Sequence, residues 1–251
     1  MTESTADLWL AKSHPSAPNA RVRLFCFPYA GGSASTFRGW SEALSPEVEV
    51  RPVQLPGRGP RMREPPFTDV HAIVEAFLPV MSCYLDKPFA FFGHSMGGAI
   101  AFELSRRLRR ACGVEPCHLF ISARRAPHLK HKGPIIYNLP EPEFREELRQ
   151  LGGTPAEVLE HPELMEMLIP LLRADISVSQ TYRCDTLRSL TCPQTVFGGL
   201  RDEYDESEGL AAWREHTVGR FDLKMFEGDH FFINTAQRSI LDAIKTALLS
   251  A

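Results

Sequence analysis

The feature that most limits what this chain can become is a junction near its middle. Phe89-Ala90-Phe91-Phe92 is a wholly apolar run of strand length, Gly93-His94-Ser95-Met96-Gly97-Gly98 comes immediately after it, and a helical pattern runs from about Ala99 to Arg110. The pentapeptide G-x-S-x-G means little alone, because glycine and serine are common. Between a strand and a helix it marks a sharp turn that projects the serine from the strand tip toward the helix N-terminus. Such a turn needs small residues on both sides of Ser95, and Gly93, Gly97 and Gly98 provide the room.

The rest of the chain repeats this strand-to-helix rhythm. Val22–Phe27, Val48–Val53, Phe89–Phe92, Cys117–Ser122, Gln194–Phe197 and Phe221–Phe226 read as strands. Helical patterns fall at Phe37–Leu44, across 69–85 with a kink at Pro79, at Glu208–His216 and at Ala236–Ser250. Alternation of this kind predicts an α/β fold, a mostly parallel central sheet flanked by helices. The rhythm breaks over 134–188, which reads only as helices: Glu141–Leu151, Pro155–Glu160 and Pro162–Tyr182. Pro155 and Pro162 are placed at first helical positions. A helical insertion of roughly fifty residues in a βα series is expected to be a lid. The expected layout is a flexible segment over 1–20, a core over 21–133 and 189–251, and the lid over 134–188.

Composition narrows the partners. The 251 residues carry a net charge of −3, with 43% hydrophobic and 24% charged residues. That balance supplies no global attraction to nucleic acid or to an anionic membrane. The N-terminus lacks the basic start and apolar stretch of a signal peptide, and no segment reaches 18 consecutive apolar residues. Six cysteines, at 26, 83, 112, 117, 184 and 192, are irregularly spaced and include no C-x-x-C. They read as reduced thiols of a cytoplasmic protein, with no metal site.

A serine hydroxyl needs a base within hydrogen-bond reach, and the base needs an orienting acid. In this kind of sheet they come in the order serine, acid, histidine. His230 lies just past the last strand pattern and before the last helix, the expected place for the base. His216 falls in a helix, His128, His131 and His161 in polar or lid regions, and His94 beside the serine, where it would order the turn. Asp202 stands after the strand Gln194–Phe197 and is the expected acid, with Glu203 and Asp205 as close rivals. Asp229 adjoins His230 and is expected to point away. For an oxyanion, the donors are the amide of Met96 and one from the Tyr29-Ala30-Gly31-Gly32 turn. Ala30 comes first, Tyr29 second, and Pro28 is excluded for want of an N–H.

Five stretches together resemble the type II thioesterases, stand-alone enzymes associated with polyketide synthases and nonribosomal peptide synthetases. They are Phe27-Pro28-Tyr29-Ala30-Gly31-Gly32-Ser33, Leu55-Pro56-Gly57-Arg58-Gly59, Phe92-Gly93-His94-Ser95-Met96-Gly97-Gly98, Leu172-Arg173-Ala174-Asp175 and Gly228-Asp229-His230-Phe231-Phe232. The resemblance implies the α/β-hydrolase fold. It implies editing, the removal of aberrant or stalled acyl groups from carrier-bound thioesters. The partners would be acyl or peptidyl carrier protein domains. No cofactor is implied beyond the phosphopantetheine that arrives on the substrate, and the chain is expected to act as a monomer. The rival readings on the same residues are an acyl-CoA or small-ester hydrolase, an acyltransferase, and a binding module without catalysis. The basic run from Arg124 to Lys132 is a candidate docking face for an acidic carrier.

Overall fold

The four strands at the centre of the sheet are buried at every position because the sheet is covered on both sides. In β1 (Val22–Phe27), Leu24 and Cys26 face one core while Phe25 and Phe27 face the other, the period-2 alternation of a strand. The structure is a computed structural model and describes residues 8–11, 17, 19–188 and 190–249. The remaining strands are β2 (Val48–Pro52), β3 (Phe89–His94), β4 (His118–Ser122), β5 (Gln194–Gly199) and β6 (Phe221–Phe226). They form one sheet in the order β2-β1-β3-β4-β5-β6, parallel throughout. All six strands expected from the sequence are present.

The helices are α1 (Trp40–Leu44), α2 (Val70–Met81), α3 (Met96–Cys112), α4 (Glu141–Leu151), α5 (Ala156–Leu159), α6 (Pro162–Thr181), α7 (Ser207–Ala211), α8 (Phe232–Thr235) and α9 (Gln237–Leu249). Helices α2 and α3 cover the face that holds Phe25, Phe27 and Phe91. Helices α1 and α9 cover the face of Phe92, Phe120 and Phe197. Asp69 caps α2 by accepting from the Ala72 amide, and Gly113 ends α3 in the left-handed conformation. No helix among the described residues is long and apolar enough to cross a membrane.

Several expectations shift. The single helix over 37–44 is a 3-10 turn (Ala34–Phe37) succeeded by α1, because Gly39 at φ 81° separates them. The helix expected over 69–85 ends at Met81, soon after Pro79, and a 3-10 turn continues to Tyr84. The pattern at 208–216 splits likewise into α7 and a 3-10 turn. Pro162 does open α6, but Pro155 is the residue before α5, not its first. Helix α8 has no counterpart in the expected pattern. The flexible segment expected over 1–20 needs correction where it is described: Trp9 and Leu10 are buried, the Gln54 main-chain amide donates to the Trp9 carbonyl, and Leu10 bridges Val53. The rest of that segment, apart from 8, 11, 17, 19 and 20, lies outside the described residues. So do position 189 and the last two residues.

Between β4 and β5 the helices α4, α5 and α6 build a small core of their own. Ile136, Phe144, Leu148, Met165, Ile169 and Leu172 are its main members. This places a helical cover beside the C-terminal ends of the strands, where open α/β sheets form their binding crevice.

Candidate active site

Ser95 stands at the corner between β3 and α3 with φ 54° and ψ −113°, a strained conformation for a residue with a side chain. Its neighbours make that corner possible. A Cβ on Gly93 would lie 2.1 Å from the Gly97 carbonyl oxygen, and one on Gly97 would lie 2.1 Å from the Phe27 carbonyl oxygen. Both clashes are with main chain, so neither position admits a side chain. The Ser95 amide donates to the Ser122 carbonyl at 2.7 Å, tying the corner to β4.

From this corner the Ser95 hydroxyl reaches His230 Nε2 at 2.9 Å, and His230 Nδ1 reaches Asp202 Oδ2 at 2.8 Å. An ionised carboxylate only accepts, so His230 carries its proton on Nδ1 and receives the serine hydroxyl at Nε2. Asp202 Oδ1 accepts from the amides of Tyr204 and Asp205 at 3.0 and 3.2 Å. The Asp202 side chain is fully buried. Burial pushes its pKa up, but the hydrogen bond and charge of His230 and the two amides outweigh that and hold it below the usual value. For His230 burial pulls downward, and the bond and charge of Asp202 with the charge of Asp205 lift it above the ordinary histidine value.

The rivals for the acid fall elsewhere. Glu203 is exposed. Asp205 is buried with one oxygen on the Arg125 amide and the other 4.0 Å from His230 Nδ1, and burial raises its pKa. Asp229 turns to the Phe231 amide, away from the imidazole of His230. Asp202, Asp205 and His230 bring their ligand atoms within 4.8 Å of one another, but these atoms already hold the imidazole and three main-chain amides.

Met96 is the first residue of α3, where an amide has no partner within the helix. In the turn after β1, the Gly31 amide is taken by Asp175 at 2.7 Å and the Gly32 amide by the Tyr29 carbonyl at 2.9 Å. The turn is therefore left with the amides of Tyr29 and Ala30, and both residues line the cavity above Ser95. Leu148, Leu151, Leu172 and Ile176 of the insertion form its apolar wall. Arg125, Lys132, Arg183 and Tyr204 add polar groups to the lining.

Much of the basic run from Arg124 to Lys132, the candidate docking face, is engaged within the protein. Arg124 is buried and donates to the Ser179 hydroxyl and carbonyl on α6. His128 bonds His216, His131 meets Gln180, and Lys132 meets Glu206. Lys130 is exposed. All six cysteines are free thiols, with Cys26, Cys184 and Cys192 buried.

Comparison with known proteins places the chain in a family. The thioesterase domain family matches residues 22–248. Linear gramicidin dehydrogenase LgrE of Brevibacillus parabrevis is 41% identical over 99% of this chain and 95% of its own. Thioesterase PikA5 of Streptomyces venezuelae is 40% identical over 96% of this chain and 86% of its own. The structure of the type II thioesterase BorB from the borrelidin biosynthetic cluster superposes with a TM-score of 0.87 at 37% identity, covering 98% of this chain and 99% of that one. LgrE bears the name of a redox enzyme. In this chain, the G-x-G at Gly57-Arg58-Gly59 has Met62 where the third glycine of a dinucleotide-binding turn would stand. A family match spanning almost the whole chain and relatives at about 40% identity over nearly full length lead to one conclusion: this protein is a member of the thioesterase domain family, a hydrolase of the α/β-hydrolase fold.

Proposed function

We propose that the chain hydrolyses acyl thioesters from the phosphopantetheine arm of acyl or peptidyl carrier proteins, as an editing enzyme for a polyketide or nonribosomal peptide synthase. The observation that carries the reading is the hydrogen-bonded series Ser95–His230–Asp202 on the floor of a cavity walled by the insertion. Ser95 is the nucleophile, His230 the base and Asp202 the orienting acid. As Ser95 Oγ attacks the thioester carbonyl carbon, its proton passes to His230 Nε2. The imidazolium is stabilised by Asp202. The oxyanion is received by the amides of Met96 and Ala30. Collapse breaks the C–S bond, His230 returns the proton to the leaving thiolate, and an acyl-serine remains. His230 then takes a proton from water as hydroxide adds to the acyl carbon; collapse of this second adduct breaks the bond to Ser95 Oγ, His230 returns the proton to Oγ, and the carboxylic acid is released. Side chains, main-chain amides and water suffice for each step, and the only prosthetic arm involved belongs to the substrate.

Helices α4, α5 and α6 serve as a lid whose apolar wall accepts the acyl chain. The reading includes a cytoplasmic setting, where carriers and reduced thiols coexist, and a monomeric enzyme. The test is turnover of one set of short acyl groups presented on a carrier protein, on coenzyme A and as p-nitrophenyl esters, with the wild type and Ser95→Ala. Preference for the carrier-borne thioester, lost in Ser95→Ala, is expected. Equal turnover of all three donors would move the assignment to a general thioesterase or esterase, and capture of the acyl group by an added amine or alcohol in preference to water would make it an acyltransferase.

A further inference from the structure

Three of the stretches that carry the family resemblance meet at one buried point that hydrolysis by Ser95 leaves without a task. Asp175 on α6 receives Arg58 in a two-point grip, Nη1 to Oδ2 at 2.6 Å and Nη2 to Oδ1 at 2.7 Å. The two side chains are 5% and 2% exposed. Asp175 Oδ2 also accepts the Gly31 amide at 2.7 Å. The same Arg58 Nη1 donates to the Gly32 carbonyl at 3.0 Å, and Arg58 Nε donates to the Pro56 carbonyl. Packing repeats the pattern. A Cβ on Gly31 would lie 2.8 Å from Leu172 Cδ2, and one on Gly57 would lie 3.1 Å from Leu171 Cδ1. Helix α6 is thus pressed against both glycine turns, with Asp175 bonded between them.

A buried ion pair is a poor way to gain stability, since desolvation offsets most of its attraction and an apolar pair of similar volume often serves as well. What this pair does that an apolar pair cannot is fix a peptide plane. Holding the Gly31 N–H toward α6 sets the torsions about Ala30, and so the direction of the neighbouring Ala30 N–H. We infer that Asp175 is a positioning residue for the oxyanion-binding turn, and that Arg58 holds it in that task. The inference rests on the reading of the Ala30 amide as an oxyanion donor.

The experiment compares wild type, Asp175→Asn and the double variant Arg58→Met/Asp175→Leu. An amide offers one acceptor oxygen in place of two and turns N–H groups toward the guanidinium, so the grip on Gly31 and Arg58 cannot both survive. The double variant replaces the ion pair by apolar side chains and leaves Gly31 without its acceptor. Both are expected to lose about 10- to 100-fold in kcat with KM changed less than about twofold, less than the full loss of an oxyanion donor. Labelling of Ser95 by a fluorophosphonate should slow by a similar factor, because the same donors receive the phosphonyl oxygen. The double variant strands the Gly31 amide and the Gly32 and Pro56 carbonyls, so it is expected to melt several degrees below wild type; rates are compared well below that melt, on folded protein, which separates positioning from folding. A folded variant of either kind that labels and turns over at the wild-type rate overturns the inference, as does a rise in KM with kcat unchanged. Should Asp175→Asn fail to fold, the double variant alone decides. Labelling needs only an activated serine, so it reads this pair even if carrier thioesters prove not to be the substrate.

Discussion

His94 Nε2 lies 2.9 Å from the main-chain carbonyl of His230, and His94 Nδ1 lies 2.9 Å from the Ser122 hydroxyl. A carbonyl can only accept, so Nε2 carries the proton and Nδ1 accepts from Ser122. The variable residue inside G-x-S-x-G is therefore a strut. It joins the turn that carries Ser95 to the backbone of His230, across β4. The ring is fully enclosed, and burial with the charge of His230 lowers its pKa to about 3, so it stays neutral wherever the enzyme works.

His94→Phe keeps the ring and removes both bonds, leaving a buried hydroxyl and a buried carbonyl without partners. The expected cost is about 2–4 kcal/mol, a fall in Tm on the order of 10 °C. Turnover should fall further than stability explains, because His230 loses its main-chain tether. Ser122→Ala breaks one bond only and should cost about 1 kcal/mol. Thermal melts and kcat of the two variants side by side check this.

On the proposed mechanism His230, as the base, sets the pH profile. His230 must be neutral to accept the serine proton, and its raised pKa keeps it protonated to higher pH than a free histidine. The acid limb of kcat/KM is therefore expected to have its midpoint above about 6.5. Asp205→Asn removes one carboxylate that lifts His230, so the limb should move to lower pH with a modest loss of rate. Asp202→Asn removes the bond that fixes the Nδ1 proton and should cost about 10³- to 10⁴-fold in kcat. If Asp205→Asn proves the more damaging of the two, the roles of the acids are reversed.

Stability should slope the other way from what His230 alone would give. Burial, the largest cause in each case, lowers the pKa of His94 to about 3 and of His118 and His216 to about 4. Between about pH 4 and 6.5 the unfolded chain binds protons that these folded sites refuse, so stability rises with pH across that window. His230, with a raised value, contributes stability below about 6.5 that fades as pH climbs through its folded pKa, and it offsets part of the trend. Burial holds His131 below its ordinary value too, so four groups stand against one and leave a net fall in Tm on the order of 10 °C from pH 7 to pH 5. His118→Gln should flatten the slope while leaving the catalytic centre untouched.

Whether a residue's place is legible in the sequence depends on whether its task is local. The central strands are visible because burial on both faces forces largely apolar runs, and the turn at Ser95 because only glycine fits beside it. Asp202 and His230 can be found from their places after β5 and β6, since each strand's C-terminal end delivers the next loop to the same edge of the sheet. The direction of a side chain is not legible. Arg124 belongs to a basic run, yet it turns inward to Ser179, and composition records charge without orientation. Trp9 and Leu10 sit in a short apolar run, Leu8 to Ala11, too short to show a period, and the partners that bury them, among them Val53, Gln54, Phe67 and Phe77, lie far along the chain. The Arg58–Asp175 pair joins positions 117 residues apart, and no spacing rule reaches that far.

The cavity wall at Gly153 and Phe231 offers a test of the lid. Gly153, in the link between α4 and α5, packs on Phe231 so closely that a Cβ would lie 2.5 Å from the ring's Cζ. Phe231 in turn meets His230 edge-on at 5.3 Å between ring centres. A side chain at 153 must therefore lift the link or displace Phe231. Gly153→Val should lift it, because the β-branched group cannot bend away, while Ser95, His230 and Asp202 keep their bonds within the core. Short acyl thioesters then lose part of their apolar wall and KM rises several-fold. Longer chains gain room, so the ratio of kcat/KM for decanoyl over propionyl thioesters should increase by about tenfold, the worth of one or two methylenes of apolar contact. A variant whose chain-length profile matches wild type would mean that this link does not shape the acyl site.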